Sequence, residues 1–375
     1  MDVNKAASQK TNIGPNTNSK RRSSIMNRIV AIAATVVGIG ILAGTASAGI
    51  VQHVLVMDIQ HDTGFSAGRI LEFDLDGNFI GVFDSGYRSA GMQQADDYTI
   101  YVSDTDDVSG AGGGPIRSYD VDGTPLTHAY NGGTDIRPDD LAFDSNGDLF
   151  FDNAFGGGNE DDQIYRVDGT NTASVVVPKT FNDPSGLTGT DTLNTPRGLA
   201  IDADDDIVVA DRGNQRLLEF NSSGNLIAVL ATGKQNIQAP FIADNGNIFY
   251  TYVDNDEEEY YVEEISSGGG VLNTYTYDFS ASGTSSPTLL DSMMLPNGDL
   301  LVSGLSADEV FRLDPDTGTF STFASGSFDG TVMDGPNFMT VMTIIPEPTT
   351  LVLLGLGVVT LLGRRRRRVP RSRTC

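Results

Sequence analysis

The chain has 375 residues, with 24 Lys+Arg against 50 Asp+Glu and a formal net charge of −26. The leader and the tail carry six and seven of the basic residues but one acid each, so the body from Gly49 to Ile345 keeps 11 basic and 48 acidic residues, a net charge of −37. So acidic a surface repels nucleic acid and anionic membranes. The single cysteine, Cys375, is the last residue, which excludes a disulfide framework and thiolate chemistry from the body, and three histidines with no tryptophan narrow the catalytic options further.

The N-terminal segment, residues 1–48, has the pattern of an export leader. Arg28 supplies a positive flank, Ile29 to Leu42 are apolar, and Ala46-Ser47-Ala48 is a small-x-small cleavage site for signal peptidase. The apolar run is shorter than the ~20 residues a membrane-spanning helix needs. The expected cleavage at Ala46 and Ala48 gives a mature start at Gly49.

From residue 69 onward one unit recurs six times: an alternating strand, a tight turn with glycine, and a second alternating strand. The copies are RILEFDLDGNFIGVF (69–83), IRSYDVDGTPLTHAY (116–130), QIYRVDGTNTASVVV (163–177), RLLEFNSSGNLIAVL (216–230), YVEEISSGGGVLNTY (261–275) and EVFRLDPDTGTFSTF (309–323). Their turn glycines, Gly77, Gly123, Gly169, Gly224, Gly269 and Gly318, are separated by 46, 46, 55, 45 and 49 residues. Period-2 alternation buries one face of each strand, and glycine reaches the positive φ that tight hairpins need. A second unit precedes most of these hairpins: RPDDLAFDSNGDLFF (137–151), TPRGLAIDADDDIVV (195–209), APFIADNGNIFY (239–250) and PTLLDSMMLPNGDLLV (287–302). Two strands from each unit make four per repeat, the content of a propeller blade, and a period near 45 fits. VLVMD (54–58) lacks an inner strand before it, whereas GPNFMTVM (335–342) is an inner strand without a hairpin after it. The termini are therefore expected to share one blade and close a ring.

The fold class expected is all-β, a six-bladed β-propeller over 49–345 closed by N- and C-terminal strands. Pro196 to Asp202 (P-x-G-L-A-x-D), Ala210 to Arg216 (A-D-x-x-N-x-R) and the L-L-E-F that follows resemble the NHL-repeat propeller family. That resemblance implies the fold and says little about activity.

Aspartate clusters lie between the strands. Asp202, Asp204 and Asp206 have the first spacing of an EF-hand, but Ile207 and Gly213 stand where its glycine and final glutamate belong, and the stretch aligns with turns reading DSNGD and DNGN. The longer acidic loop of Asp254, Asp256 and Glu258 is the stronger candidate for calcium, the one cofactor this sequence points to. Propeller ligands usually meet the loops that enter the inner strands, and the polar residues there are Asp139, Asp140, Arg197, Asp291 and Asn337. Such a set could hold Ca2+ and polarise an ester or lactone carbonyl, as in the gluconolactonase-like propellers. No Ser–His or Cys–His set accompanies it, so no catalytic residue is assigned.

The tail, residues 346–375, combines Pro346-Glu347-Pro348, an apolar stretch from Leu351 to Leu362 that would be ~18 Å long as a helix, and five arginines, Arg364 to Arg368. The arginines orient the segment with its end in the cytoplasm. Motif, short membrane segment and basic stop together resemble the PEP-CTERM sorting signal. This implies export across the inner membrane, processing by an exosortase-type protease, and delivery to the cell surface or an exopolysaccharide matrix. The membrane is met only through the terminal segments. The function expected is a non-enzymatic binding or scaffold module for a glycan or surface protein, with a calcium-dependent hydrolase or lactonase as the alternative.

Overall fold

The computed structural model describes residues 50–59, 68–87, 89–105, 113–133, 136–153, 162–183, 186, 191–254, 259–277 and 289–345. Six antiparallel sheets account for almost every strand. Blade I pairs Pro336–Ile344, Val51–Asp58, Gly68–Asp74 and Phe79–Tyr87, from the axis outward. Blade II has Ser89–Gln94, Ile100–Asp104 and Ile116–Tyr119; blade III has Leu141–Phe143, Leu149–Asn153, Gln163–Val167 and Ala173–Val177. Blade IV runs from Pro196–Ile201 to Leu226–Thr232, blade V from Gln238–Ile242 to Val271–Tyr277, and blade VI from Leu289–Met294 to Thr319–Ser325.

Each inner strand packs against the inner strands of the next and previous blades, and the last, in blade VI, meets Pro336–Ile344 of blade I, so the ring closes. Closure rests on seven register pairs between the two terminal strands, from Val51 with Ile344 to Asp58 with Pro336. Pairing the termini puts Val51–Asp58 inside the sheet and Pro336–Ile344 at its inner edge, facing the axis.

Among the described residues the apolar core forms seven clusters, and six of them each straddle one blade junction. Val54, Leu71 and Phe73 of blade I meet Leu301, Val310 and Phe323 of blade VI. Phe150 and Ile164 of blade III meet Ile207, Val209 and Leu218 of blade IV in the same way. Period-2 alternation in successive blades builds these layers, since both faces of every blade must be covered by a neighbour.

The turns explain much of the acid excess. In blade I, Asp74 Oδ1 accepts the N–H of Asp76 at 3.0 Å and of Asn78 at 2.8 Å. Asp144, Asp168 and Asp202 repeat the arrangement in blades III and IV. An aspartate at this place caps its own hairpin. At Asp168 the hydroxyl and the N–H of Thr170 hold the carboxyl below its ordinary range.

Three local features depart from the repeat. Gly169 is not the left-handed residue of its hairpin; Asn171 is, at φ 61°, in a turn of the same length as Asp74–Asn78, where Asn takes the place of Gly77 and tolerates that region. In blade II the inner hairpin turns through Tyr98 at φ 68°, with no glycine to betray it in the sequence. The outermost edge of blade II forms no regular strand: Pro125 lacks an N–H, and the segment touches its neighbour through single bridges at Tyr119 with Pro125 and Ile116 with Tyr130.

Candidate functional site

The five channel residues expected from the sequence all lie at the starts of inner strands, and therefore on one end of the ring. Asp139 and Asp140 precede Leu141–Phe143, Arg197 lies in Pro196–Ile201, Asp291 in Leu289–Met294 and Asn337 in Pro336–Ile344. Asp139, Asp140, Asp291 and Asn337 are buried, and Arg197 is mostly so.

The structure pairs Asp139 with Arg197 of the next blade, Nε to Oδ2 at 2.9 Å. The contact is electrostatic in character, since neither atom meets hydrogen-bond alignment in it. Asp140 Oδ1 takes the N–H of Leu141 at 2.8 Å, and its Oδ2 takes the N–H of Leu199, in blade IV, at 3.1 Å. Asp291 does the same one half-turn around the ring. Its Oδ1 accepts from Ser292 at 2.8 Å and its Oδ2 from Met339, in blade I, at 2.7 Å. Both carboxylates thus join one inner strand to the next. Asn337 Oδ1 is buried and accepts no hydrogen bond among the described residues.

A second row, which the sequence reading missed, supports the first from the ends of the second strands. Asp152 Oδ1 accepts the N–H of Asp140 at 2.6 Å and its Oδ2 that of Gly198 at 3.0 Å. Ser103 Oγ accepts the N–H of Gly91 at 2.7 Å and donates to Asp139 O at 2.7 Å. Ser303 Oγ accepts the N–H of Asp291 at 3.0 Å. The signal lay in the recurring ends of the second strands, Ser103-Asp104, Asp152-Asn153, Ala210-Asp211 and Ser303-Gly304. The acid at the final position salt-bridges into the next strand: Asp58 with Arg69 at 2.9 Å, Asp104 with Arg117 at 2.6 Å and Asp211 with Arg216 at 2.7 Å.

Burial pushes the channel carboxyls upward. Asp291 is raised to about 7 by desolvation, against the lowering effect of the two N–H groups on it. Asp140 is pushed well above its ordinary value by burial and then by the charge of Asp291; Asp152 is raised by burial and by Asp139 and Asp140. Phe338 of blade I reaches Ala239 of blade V, and both are almost fully buried, so apolar side chains fill the axis beside these acids.

The acidic loops separate into described and undescribed parts. Asp254 ends the strand Ile248–Asp254, while Asp256 and Glu258 lie outside the described residues, as do Ala46, Ala48, Pro346, Glu347 and Pro348. Asp202, Asp206 and Glu219 bring carboxylate oxygens within 4.8 Å of one another. Asp202 is already a turn cap, and burial followed by the surrounding acids raises both Asp206 and Glu219. Among the described residues no helix is long and apolar enough to cross a membrane, and Leu351 to Leu362 lie outside them.

The closed ring of six sheets defines a six-bladed β-propeller, and the NHL repeat model matches one stretch of it, residues 193–220. The PEP-CTERM protein-sorting motif matches residues 345–368, which marks the chain as one sorted by an exosortase-type enzyme toward the cell envelope or surface. No curated protein matches the chain in sequence. Among solved structures, a chain of a nidogen/laminin complex aligns over 78% of this chain and 98% of its own, at 14% identity and TM-score 0.56. TolB from Acinetobacter baumannii aligns over 78% of this chain and 66% of its own, at 13% identity and TM-score 0.55. Virginiamycin B lyase from Staphylococcus aureus aligns over 67% and 73%, at 13% identity and TM-score 0.45. At these identities the likeness is one of fold.

Proposed function

We propose that residues 49–345, after removal of the leader by signal peptidase and of the tail near Pro346-Glu347-Pro348, act as a non-enzymatic binding and scaffold propeller outside the cell. Its partners would be a matrix glycan or a surface protein. One observation carries this reading. The carboxylates at the channel mouth are engaged by backbone N–H groups or by arginine, and so serve as joints between blades rather than as open ligands for a metal or substrate. Binding of the purified protein to exopolysaccharide or envelope fractions of its own host tests it; retention on none of these fractions refutes it. Mass spectrometry of protein from the host should find mature ends near Gly49 and Pro346.

The alternative, a calcium-dependent hydrolase or lactonase, takes its support from Asp140 and Asp291, two buried acids close enough for one to raise the other. A cation there would have to displace four N–H groups from their carboxylates. The expected result is therefore no change in melting temperature with millimolar Ca2+, whereas a rise of several degrees that Asp140→Ala abolishes would establish the alternative.

A further inference from the structure

Beside the channel mouth, between blades IV and V, lies a cavity of about 270 Å3 lined by Thr195, Arg212, Gly213, Gln215, Gln235 and Asn236. Every lining side chain is polar. This is unlike the mostly apolar walls that take drug-like molecules.

The charge at its base is unusual for this protein. Among the described residues, eight of the body's 11 basic residues lie within 4 Å of a carboxylate. Arg212 does not pair with one among the described residues; its Nε and Nη2 reach only Asn236 Oδ1, at 3.3 and 3.2 Å. Arg197 is its neighbour, and both guanidiniums act on the single carboxylate of Asp139. Two cations against one anion leave a local positive charge on a body of −37. Burial, and then the charge of Arg197, weaken the hold of Arg212 on its proton, and Asp139 opposes them. Guanidinium stays charged nonetheless and offers a planar fork that fits a carboxylate.

The backbone around the cavity is strained and pinned. Thr195, Gln215 and Asn236, three of the six lining residues, are left-handed at φ 52°, 58° and 50°. A β-branched residue in that region is a genuine outlier, and such strain gathers at functional sites. Hydrogen bonds hold it there: Thr195 N to Asp162 Oδ1 at 2.7 Å, Gln215 N to Arg212 O at 3.1 Å, and Lys234 N to Gln215 O at 3.0 Å. The side chains are thus displayed on a fixed frame.

We infer that this cavity binds one carboxylate-bearing sugar residue, a uronic acid unit within an otherwise neutral polysaccharide, with Arg212 taking the carboxylate and Gln215, Gln235, Asn236 and Thr195 taking the hydroxyls. Primary amides donate and accept at once, which suits neighbouring sugar hydroxyls. A dianion such as phosphate is disfavoured by the surrounding −37, whereas a monoanion matches the one net positive charge. The inference rests on the reading of the chain as a binding propeller and gives that reading a ligand class and a place.

The test titrates the full chain by calorimetry with short oligomers that carry a single galacturonate or glucuronate among neutral sugars, with their neutral methyl esters, and with inorganic phosphate. Wild type should bind a uronate oligomer at least tenfold more tightly than its methyl ester and than phosphate, with affinity falling as salt rises. Arg212→Gln should lower uronate affinity tenfold or more, Gln215→Ala should lower it a few-fold, and Arg166→Gln, exposed on the third strand of blade III, should leave it unchanged. The methyl-ester comparison isolates the carboxylate without any substitution, so it holds even if Arg212→Gln does not fold. Equal binding of acid and ester, no uronate binding by wild type, or a folded Arg212→Gln that binds as wild type would each overturn the inference. Retention of a neutral host polysaccharide with uronates ignored overturns it while leaving the binding propeller standing.

Discussion

Asp291→Asn should stabilise the ring at alkaline pH. Asp291 is 8% exposed, and burial raises its carboxyl from an ordinary 3.8 to about 7. The folded state then holds the proton more tightly than the unfolded chain does. Stability is therefore highest below the unfolded value, declines as pH rises from about 4, and carries the full cost above 7. At about 1.4 kcal/mol per pH unit, that cost is on the order of 4 kcal/mol. Asparagine keeps the shape and one acceptor oxygen for Ser292 or Met339 but loses the second, which leaves a buried N–H unpaired for about 1–2 kcal/mol. The balance at pH 8 is about 2–3 kcal/mol in favour of the variant, or roughly 3–5 °C in Tm for a chain of this size. Near pH 4 only the hydrogen-bond loss remains, and the variant should melt below wild type. Thermal melts of both proteins between pH 4 and 8 read this directly. A variant that melts lower at pH 8, or whose advantage does not shrink as the pH falls, refutes the assignment of a costly buried charge to Asp291.

Arg69→Ala should cost about 3–5 kcal/mol by chemical denaturation, because it strands a fully buried Asp58 and frees the carbonyls of Phe328, Thr331 and Val332 in the short hairpin of Ser327–Phe328 and Thr331–Val332. An unchanged midpoint would mean that this joint does not contribute to closure. Gly91→Ala places a Cβ 2.5 Å from Asp139 O and 2.7 Å from Asp140 Cα, all backbone, so the junction of blades II and III must open. The expected loss is about 1–3 kcal/mol by chemical denaturation, and a wild-type midpoint would contradict the close approach.

Much of the ring was legible because its period is carried by turn chemistry that acts locally. An aspartate that caps its own hairpin shows itself in a stretch of five residues, as at Asp74 to Asn78 or Asp144 to Asp148. The shared terminal blade was legible for a similar reason: each end displayed half of a known unit. The inner hairpin of blade II was not, since Tyr98 takes the left-handed position normally marked by glycine. At the channel, position along the inner strands was readable but connection was not. That Asp140 would meet Leu199, or Asp291 Met339, depends on how one blade is rotated against the next. The cavity by Arg212 was hidden for the same reason. Its lining is drawn from loops that enter two blades, and its strain lies at Thr195, Gln215 and Asn236, residue types that ordinarily avoid positive φ or take it without notice.

The substitutions that nature makes within the repeat bear on the role of the channel acids. Ser103, Asp152 and Ser303 occupy comparable places, at the end of the second strand in three blades, and each accepts the N–H that begins the neighbouring inner strand. Ser103 and Asp152 also reach across to the following blade, to Asp139 O and Gly198 N. A hydroxyl and a carboxylate thus perform one task, which requires an acceptor of suitable reach and not a charge. The carboxylate of Asp152 is even a poor choice electrically, since Asp139 and Asp140 raise it further. An acid that a serine replaces in two sibling blades is best understood as a joint. Arg212 stands apart from these acids: it lines a cavity, and its guanidinium meets the amide oxygen of Asn236.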